Sequence, residues 1–278
     1  MKFGGLIFKE WRTPEEWAQA ALEAGYSAVY FPVDHRAPVG EIDGFVKAAK
    51  EADLTICEIG VWNNVLDPAT EKREAAIERA VHQLELAEYV GANCCVNIAG
   101  TYNPNCWDGP HHENFTKRAF DDVVRTTQRI FDAVNPKNTC YSLEPMPWMY
   151  PHTPDSYLAL IEAIDRPGFG AHLDVVNVIC SPEQYYRNTD VINEWFDKLS
   201  PHIRSCHAKD TILRETLTVH LDECRPGTGF LDYRTYLRRL SELDDHICLM
   251  LEHMTEAEDY VLATSYLKGL AAELGCKI

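Results

Sequence analysis

The chain has 278 residues, 46% of them hydrophobic and 25% charged, ordinary proportions for a soluble globular protein and enough length to bury a sizeable core without staples. Its formal net charge is −17 and no basic patch offsets it, which argues against nucleic acid and anionic membranes as partners. No apolar run approaches the roughly 18 residues of a membrane span, and ten cysteines without a CxxC pair read as free thiols, so a cytoplasmic protein is expected.

The opening stretch 2–8 is too short for a signal sequence and reads as a first strand. Thr13-Pro14-Glu15-Glu16 predicts a helix start, with an N-cap, a proline in the first turn and a capping-box glutamate; Gly25 closes that helix. Strands are predicted at 28–33 and 54–61. Asp67-Pro68 opens a long helix that ends near Gly91. Strands at 94–99 and 140–145 follow, then a helix opened by Thr153-Pro154-Asp155. The strand 169–175 precedes a helix opened by Ser181-Pro182-Glu183. Strands at 203–208 and 248–253 complete the set, and a last helix runs from about Thr255 to Gly275.

The strand runs are rich in Val, Ile, Phe and Cys and mostly continuously apolar, as parallel strands buried on both faces are. Cys57, Cys94, Cys140, Cys206 and Cys248 lie within them as small hydrophobes. Eight strand-helix units of about 35 residues, without a linker, predict one (β/α)₈ barrel as a single domain over 1–278. A doubly wound sheet would want a glycine-rich phosphate turn after an early strand. Gly4-Gly5 instead falls inside the predicted first strand.

In such a barrel the chemistry sits at the C-terminal strand ends. Strand five ends on Glu144, strand six on Asp174, strand seven on His207 and strand eight on Glu252. A charge directly after a buried run must be paired or coordinated. Three converging carboxylates repel one another, and a divalent cation with His207 completing the set removes that repulsion. One imidazole among oxygen donors favours a hard or borderline ion, Mn²⁺ first, with Mg²⁺, Co²⁺ or Zn²⁺ as alternatives. Cys206 points away from His207 by strand alternation, which excludes thiolate-rich zinc.

The ordered set Leu-Glu-Pro, His-Leu-Asp, Cys-His-Ala-Lys-Asp and Leu-Glu-His resembles the xylose isomerase-like barrel superfamily, which includes sugar phosphate isomerases and ketose 3-epimerases. The resemblance spans essentially the whole chain. It implies that Glu144, Asp174, His207 and Glu252 ligate the metal and that Glu144 and Glu252 also form the proton-transfer pair. It further implies a carbohydrate substrate and a homo-oligomer formed through the outer helices. The implied activity is isomerisation or epimerisation through an enediolate. A lyase on the same scaffold, acting on a 3-keto-glycoside, a C-glycoside, a cyclitol or a keto-acid, is the alternative; a non-catalytic sugar-binding barrel is a third reading. The chain departs from the ketose 3-epimerase pattern at Asn177 and Leu213. It offers Glu58, Asn97 and Asn177 where the endonuclease IV branch needs histidines.

Secondary candidates carry two readings each. His172 either touches substrate or supports a ligand. Lys209 either holds a substrate oxygen or pairs with Asp210. Arg214 and His220 are substrate contacts or solvated loop charges. Trp62, Trp107 and Trp148 either wall a sugar or fill loop cores, and Trp148 follows Glu144 most closely. His111-His112 is a poor second metal site, because adjacent residues do not face together. Gly227-Thr228-Gly229 reads as a turn before a helix near Asp232 rather than a phosphate cradle.

Overall fold

The computed structural model describes residues 1–278. In chain order the elements are β1 (Lys2–Gly4), α1 (Pro14–Glu23), β2 (Ala28–Tyr30), α2 (Val39–Glu51), β3 (Thr55–Gly60), α3 (Thr70–Val90), β4 (Cys94–Asn97), α4 (Lys117–Val134), β5 (Cys140–Leu143), α5 (Pro154–Ile164) and β6 (Phe169–Leu173). They continue as α6 (Pro182–Tyr186), α7 (Asn188–Leu199), β7 (Ile203–Ala208), β8 (Asp210–Arg214), β9 (His220–Cys224), α8 (Tyr233–Ser241), β10 (Cys248–Leu251) and α9 (Ala257–Leu274). Eight strands close a (β/α)₈ barrel in the order β1-β10-β7-β6-β5-β4-β3-β2, and every neighbouring pair is parallel. The remaining two, β8 and β9, form an antiparallel hairpin inserted after β7. No helix is long and apolar enough to cross a membrane.

The helix starts follow the local signals. Thr13 Oγ1 accepts from the Glu16 N–H, while the Glu16 carboxylate reaches back to the Arg12 N–H, one residue before the N-cap. Thr153 and Ser156 form a reciprocal capping box at α5. Two expectations need correction. α3 begins at Thr70 rather than at Pro68, because Asp67 Oδ1 accepts from the Ala69 N–H and makes a turn ahead of the helix. The helix opened by Ser181 stops after Tyr186, and α7 restarts at Asn188. Predicted strands also overrun: the first ends at Gly4, which leaves Gly5 outside it, and the fifth, sixth and last end at Leu143, Leu173 and Leu251. The residues just beyond are still buried or site-bearing, so hydropathy does not mark where the ladder stops.

The core has two parts. Outward-facing strand residues such as Val29, Cys95, Leu173, Cys206 and Leu249 pack against the helices. Inside the barrel lie two small clusters, Ala28 with Cys57, Cys248 and Met250, and Cys94 with Val96 and Cys140. All ten cysteines are free, and four of them fill this interior. Strand β3 carries an irregularity: Val29 pairs with Ile56 and Tyr30 with Glu58, so Cys57 is an extra residue. Ile56 and Ile59 belong to the outer core, whereas Cys57 and Glu58 both face the barrel interior. A bulge re-aims a side chain in this way.

Candidate metal centre

Glu144, Asp174 and Glu252 are the first residues after β5, β6 and β10, where the chain leaves the ladder; His207 lies within β7, opposite Met250. The structure brings all four together. His207 Nδ1 is 3.0 Å from Glu252 Oε2, 3.1 Å from Glu144 Oε1 and 3.7 Å from Asp174 Oδ2. One donor atom from each of the four lies within 4.8 Å of every other, a cluster able to hold a metal ion. Adjacent ligands around an octahedral cation with bonds of about 2.1 Å stand about 3 Å apart, close to the shortest of these spacings. Asp174 is aimed by its own turn: Oδ1 accepts from the Val176 and Asn177 N–H groups, which leaves Oδ2 directed at the cluster.

Asp174 Oδ2 and Glu252 Oε2 are buried and make no hydrogen bond, and neither does Lys209 Nζ. Lys209 is only 2% exposed, and its ammonium sits at ion-pair distance from the same oxygens, 2.8 Å from Glu252 and 2.9 Å from Asp174. Glu223 at 3.4 Å and Glu144 at 3.7 Å complete its surroundings. These are close charge pairs without hydrogen-bond alignment, so lone pairs converging on the site remain unsatisfied. Buried polar atoms are rarely left so, and a divalent cation fits this donor set. Of the two readings of Lys209, the pair with Asp210 does not form, and the side chain does not line the cavity either. Asp210 instead accepts from the backbone N–H groups of Thr211, Gly227, Gly229 and Leu231. That pins the Gly227–Gly229 turn ahead of α8, and a side chain at Gly229 would collide with Asp210 Oδ1.

The electrostatics follow from burial and crowding. Burial, reinforced by Glu252, pushes the Glu144 carboxyl up to about 7. For Glu252 and Asp174 burial acts in the same sense, but His207 and Lys209 outweigh it and hold both below the usual carboxylate range. Burial opposes the charged forms of His207 and Lys209, and the surrounding carboxylates still raise both. Lysine and imidazole are thus the groups that face these carboxylates with positive charge.

Glu58 was not among the predicted ligands, yet it is 1% exposed and faces His207 Nε2 at 3.2 Å. A carboxylate on the far nitrogen fixes the tautomer and ring orientation of a metal-ligating histidine. The sequence signal was a lone charge inside the apolar run Ile56-Cys57-Glu58-Ile59. His172 lies beneath this pair, fully buried, with its ring 4.1 Å from that of His207 and Nδ1 2.5 Å from Ser205 Oγ. Burial, then the charge on His207, pushes it down to about 3, so it is neutral. It does not line the cavity, and of its two readings its position is that of a group packed behind His207.

Above the cluster opens a cavity of about 690 Å³. Trp62, Trp107 and Trp148 all line it, as Asn177 does, whose Nδ2 donates to Glu144 Oε1 at 3.1 Å. Trp148 is anchored by its Nε1–H on the Asp108 carbonyl at 2.6 Å. Trp62 adopts φ 47°, its ring is tilted 6.3 Å from that of His207, and a side chain at Gly60 would collide with Trp62 Nε1. Arg214 and His220 are exposed on the β8–β9 hairpin, where Arg214 pairs with Asp222 at 2.8 Å, and neither lines the cavity. His111 and His112 lie away from the cluster, their rings 4.4 Å apart. Glu223 and His253 were also missed: they pair at 2.8 Å at the cavity wall, brought there by the hairpin fold and a positive φ of 61° at His253.

Residues 18–270 match the xylose isomerase-like TIM barrel family, and the chain belongs to it. No curated protein matches the chain in sequence. Among solved structures it is similar to endonuclease IV from Thermus thermophilus, with TM-score 0.75 and 12% identity over 98% of this chain and 100% of that one. It is similar to the probable 3-DHS dehydratase AsbF of petrobactin synthesis from Bacillus anthracis, with TM-score 0.70 and 18% identity over 98% and 99%. It is similar as well to the 3-keto-D-glucoside 4-epimerase YcjR from E. coli, with TM-score 0.66 and 15% identity over 97% and 99%. Likeness at these identities concerns the fold, and the three carry different chemistries, so the reaction must be argued from the site.

Proposed function

We propose that the chain is a divalent-metal-dependent isomerase or epimerase of a small carbohydrate, with Glu144, Asp174, His207 and Glu252 as ligands. The observation that carries this reading is the meeting of Glu144 and Glu252, from different strands, on one nitrogen of His207 at 3.1 and 3.0 Å in the floor of an open cavity. A cation held by this set, Mn²⁺ first and Mg²⁺, Co²⁺ or Zn²⁺ as alternatives, supplies Lewis-acid polarisation of a substrate carbonyl. The protein does the rest. Glu252, held ionised by His207 and Lys209, takes a proton from the carbon beside the carbonyl; Glu144, the second carboxylate of the pair, takes one up from solvent and delivers it. Return to the same carbon from the opposite face epimerises; return to the former carbonyl carbon, with the hydroxyl proton passing to the former carbonyl oxygen, isomerises. Glu58 orients His207, while Asn177 orients Glu144. Nucleic acid is not the proposed substrate: the chain carries −17 and no Lys or Arg lines the cavity.

A lyase that expels a substituent after the same first proton transfer is the second reading, favoured by a cavity larger than one sugar ring needs. The test is a screen of ketoses, 3-keto-glycosides and cyclitols with the Mn²⁺-loaded protein in D₂O, read by NMR. Deuterium should enter the carbon beside the carbonyl with the wild type and not with Glu144→Gln or Glu252→Gln. Conversion without deuterium, or wild-type turnover in either variant, would remove the proton-transfer mechanism.

A further inference from the structure

The cavity above the carboxylate cluster is not uniform. Its floor carries Glu144 and Glu252, its wall Glu223, and the rest of its lining includes the apolar side chains of Trp107, Met146, Trp148, Ile179, Val219 and Leu221. The hairpin explains how both characters come from one strand. Side chains alternate along β9 and the residue before it, so Val219, Leu221 and Glu223 face the cavity while His220 and Asp222 face away. The acidic member of this row lies innermost, 3.4 Å from Lys209, and the two apolar members lie towards the hairpin tip. Trp107 and Val219 stay 44% and 45% exposed, so the chain leaves this apolar rim uncovered at the entrance to its own site.

Charge disfavours a second class of occupant. No Lys or Arg lines the cavity, and the nearest ammonium, Lys209, is buried and ringed by four carboxylates. Away from the ligand set, a phosphate dianion would meet Asp108 and Glu223 with no guanidinium or free ammonium to hold it, and the one imidazole of the lining, His253, is already paired with Glu223.

We infer that the substrate is an unphosphorylated carbohydrate bearing an apolar or aromatic substituent. The hydroxyl-rich ring reaches the carboxylate floor, and the substituent lies between Trp107, Trp148 and the Val219–Leu221 face of the hairpin. This inference rests on the reading of the site as a carbohydrate centre. The volume of about 690 Å³ is in the range of pockets that enclose ligands larger than a single sugar ring, and aromatic walls favour a flat or apolar partner.

The test titrates the Mn²⁺-loaded protein, by its tryptophan fluorescence, with the phenyl and methyl glycosides of one 3-keto-hexose and with the 6-phosphate of the methyl compound. The phenyl glycoside should bind about tenfold or more tightly than the methyl one, from burial of one ring, and the phosphate more weakly than either. Leu221→Asn on the exposed hairpin and Trp148→Ala, each checked for native circular dichroism, should shrink the phenyl-to-methyl ratio to about twofold. Equal affinities, no binding of either glycoside, tighter binding of the phosphate, or a ratio untouched by both substitutions overturns the inference. Proton exchange followed in D₂O on the same samples separates it from the mechanism. A phenyl preference without exchange leaves the substrate class standing and sinks the acid-base reading; exchange without a preference does the reverse.

Discussion

Replacing Lys209 with methionine, a side chain of similar length without charge, isolates what balances the cluster. Nζ is itself buried and stands 2.8 to 3.7 Å from the carboxylates of Glu252, Asp174 and Glu144, with the more exposed Glu223 at 3.4 Å. At an effective dielectric constant of about 20, each contact with the three more buried carboxylates is an attraction of about 4 to 6 kcal/mol before desolvation is subtracted, and solvent screens the one with Glu223 to well below that. Breaking such a buried arrangement from one side typically costs about 3–5 kcal/mol net, because the partners are left uncompensated. For a protein of this size that lowers Tm by about 10 °C. Mn²⁺ provides the missing charge. At a hundredfold excess over its Kd it returns about 2.7 kcal/mol, and the variant should gain more from the ion than the wild type does, since no ammonium opposes it. Thermal melts of both proteins with and without Mn²⁺, after chelation, read this directly. A metal-free Tm equal to that of the wild type, or an identical Mn²⁺ shift in both, would refute the placement of Lys209 as the resident counter-charge.

Other outcomes follow from the same geometry. Glu58→Gln keeps a polar group on His207 Nε2 but removes the charge, and chelator competition should find Mn²⁺ affinity reduced about 10- to 100-fold; an unchanged Kd would mean that Glu58 does not support the ligand. Metal binding must displace the protons held by Glu144, whose carboxyl is raised to about 7, and by His207, also raised. Apparent affinity should therefore fall as pH drops, by about tenfold per pH unit for each proton displaced, and the slope should steepen below pH 7. A pH-independent Kd between 6 and 8 would contradict this. Gly60→Ala forces Trp62 off His207 and should cost about 1–3 kcal/mol in stability with a change in tryptophan emission; an unaltered spectrum would show that the ring has room.

Much of the molecule is legible along the chain. Helix starts at Thr13, Thr153 and Ser181 are announced by caps and prolines that act within one turn. The parallel barrel follows from apolar runs alternating with amphipathic ones. Glu144, Asp174, His207 and Glu252 stand out because each is a polar group at the end of a strand that must bury both faces. These are local facts, and hydropathy with strand alternation is enough to see them.

Which charges meet across the barrel is another matter. Strict alternation from the outward Ile56 turns Cys57 in and Glu58 out; the extra residue in β3 turns both inward and sets Glu58 against His207, 149 positions away in the chain. Lys209 chose Asp174 and Glu252 over its sequence neighbour Asp210, which the backbone of the following turn had claimed. The hairpin carried Arg214 and His220 outward and Glu223 inward. A sequence determines which residues are buried and at which end of a strand they stand, since burial and periodicity are properties of a segment. Partnership depends on register and on closure of the ring of strands, and those exist only once all eight are in place.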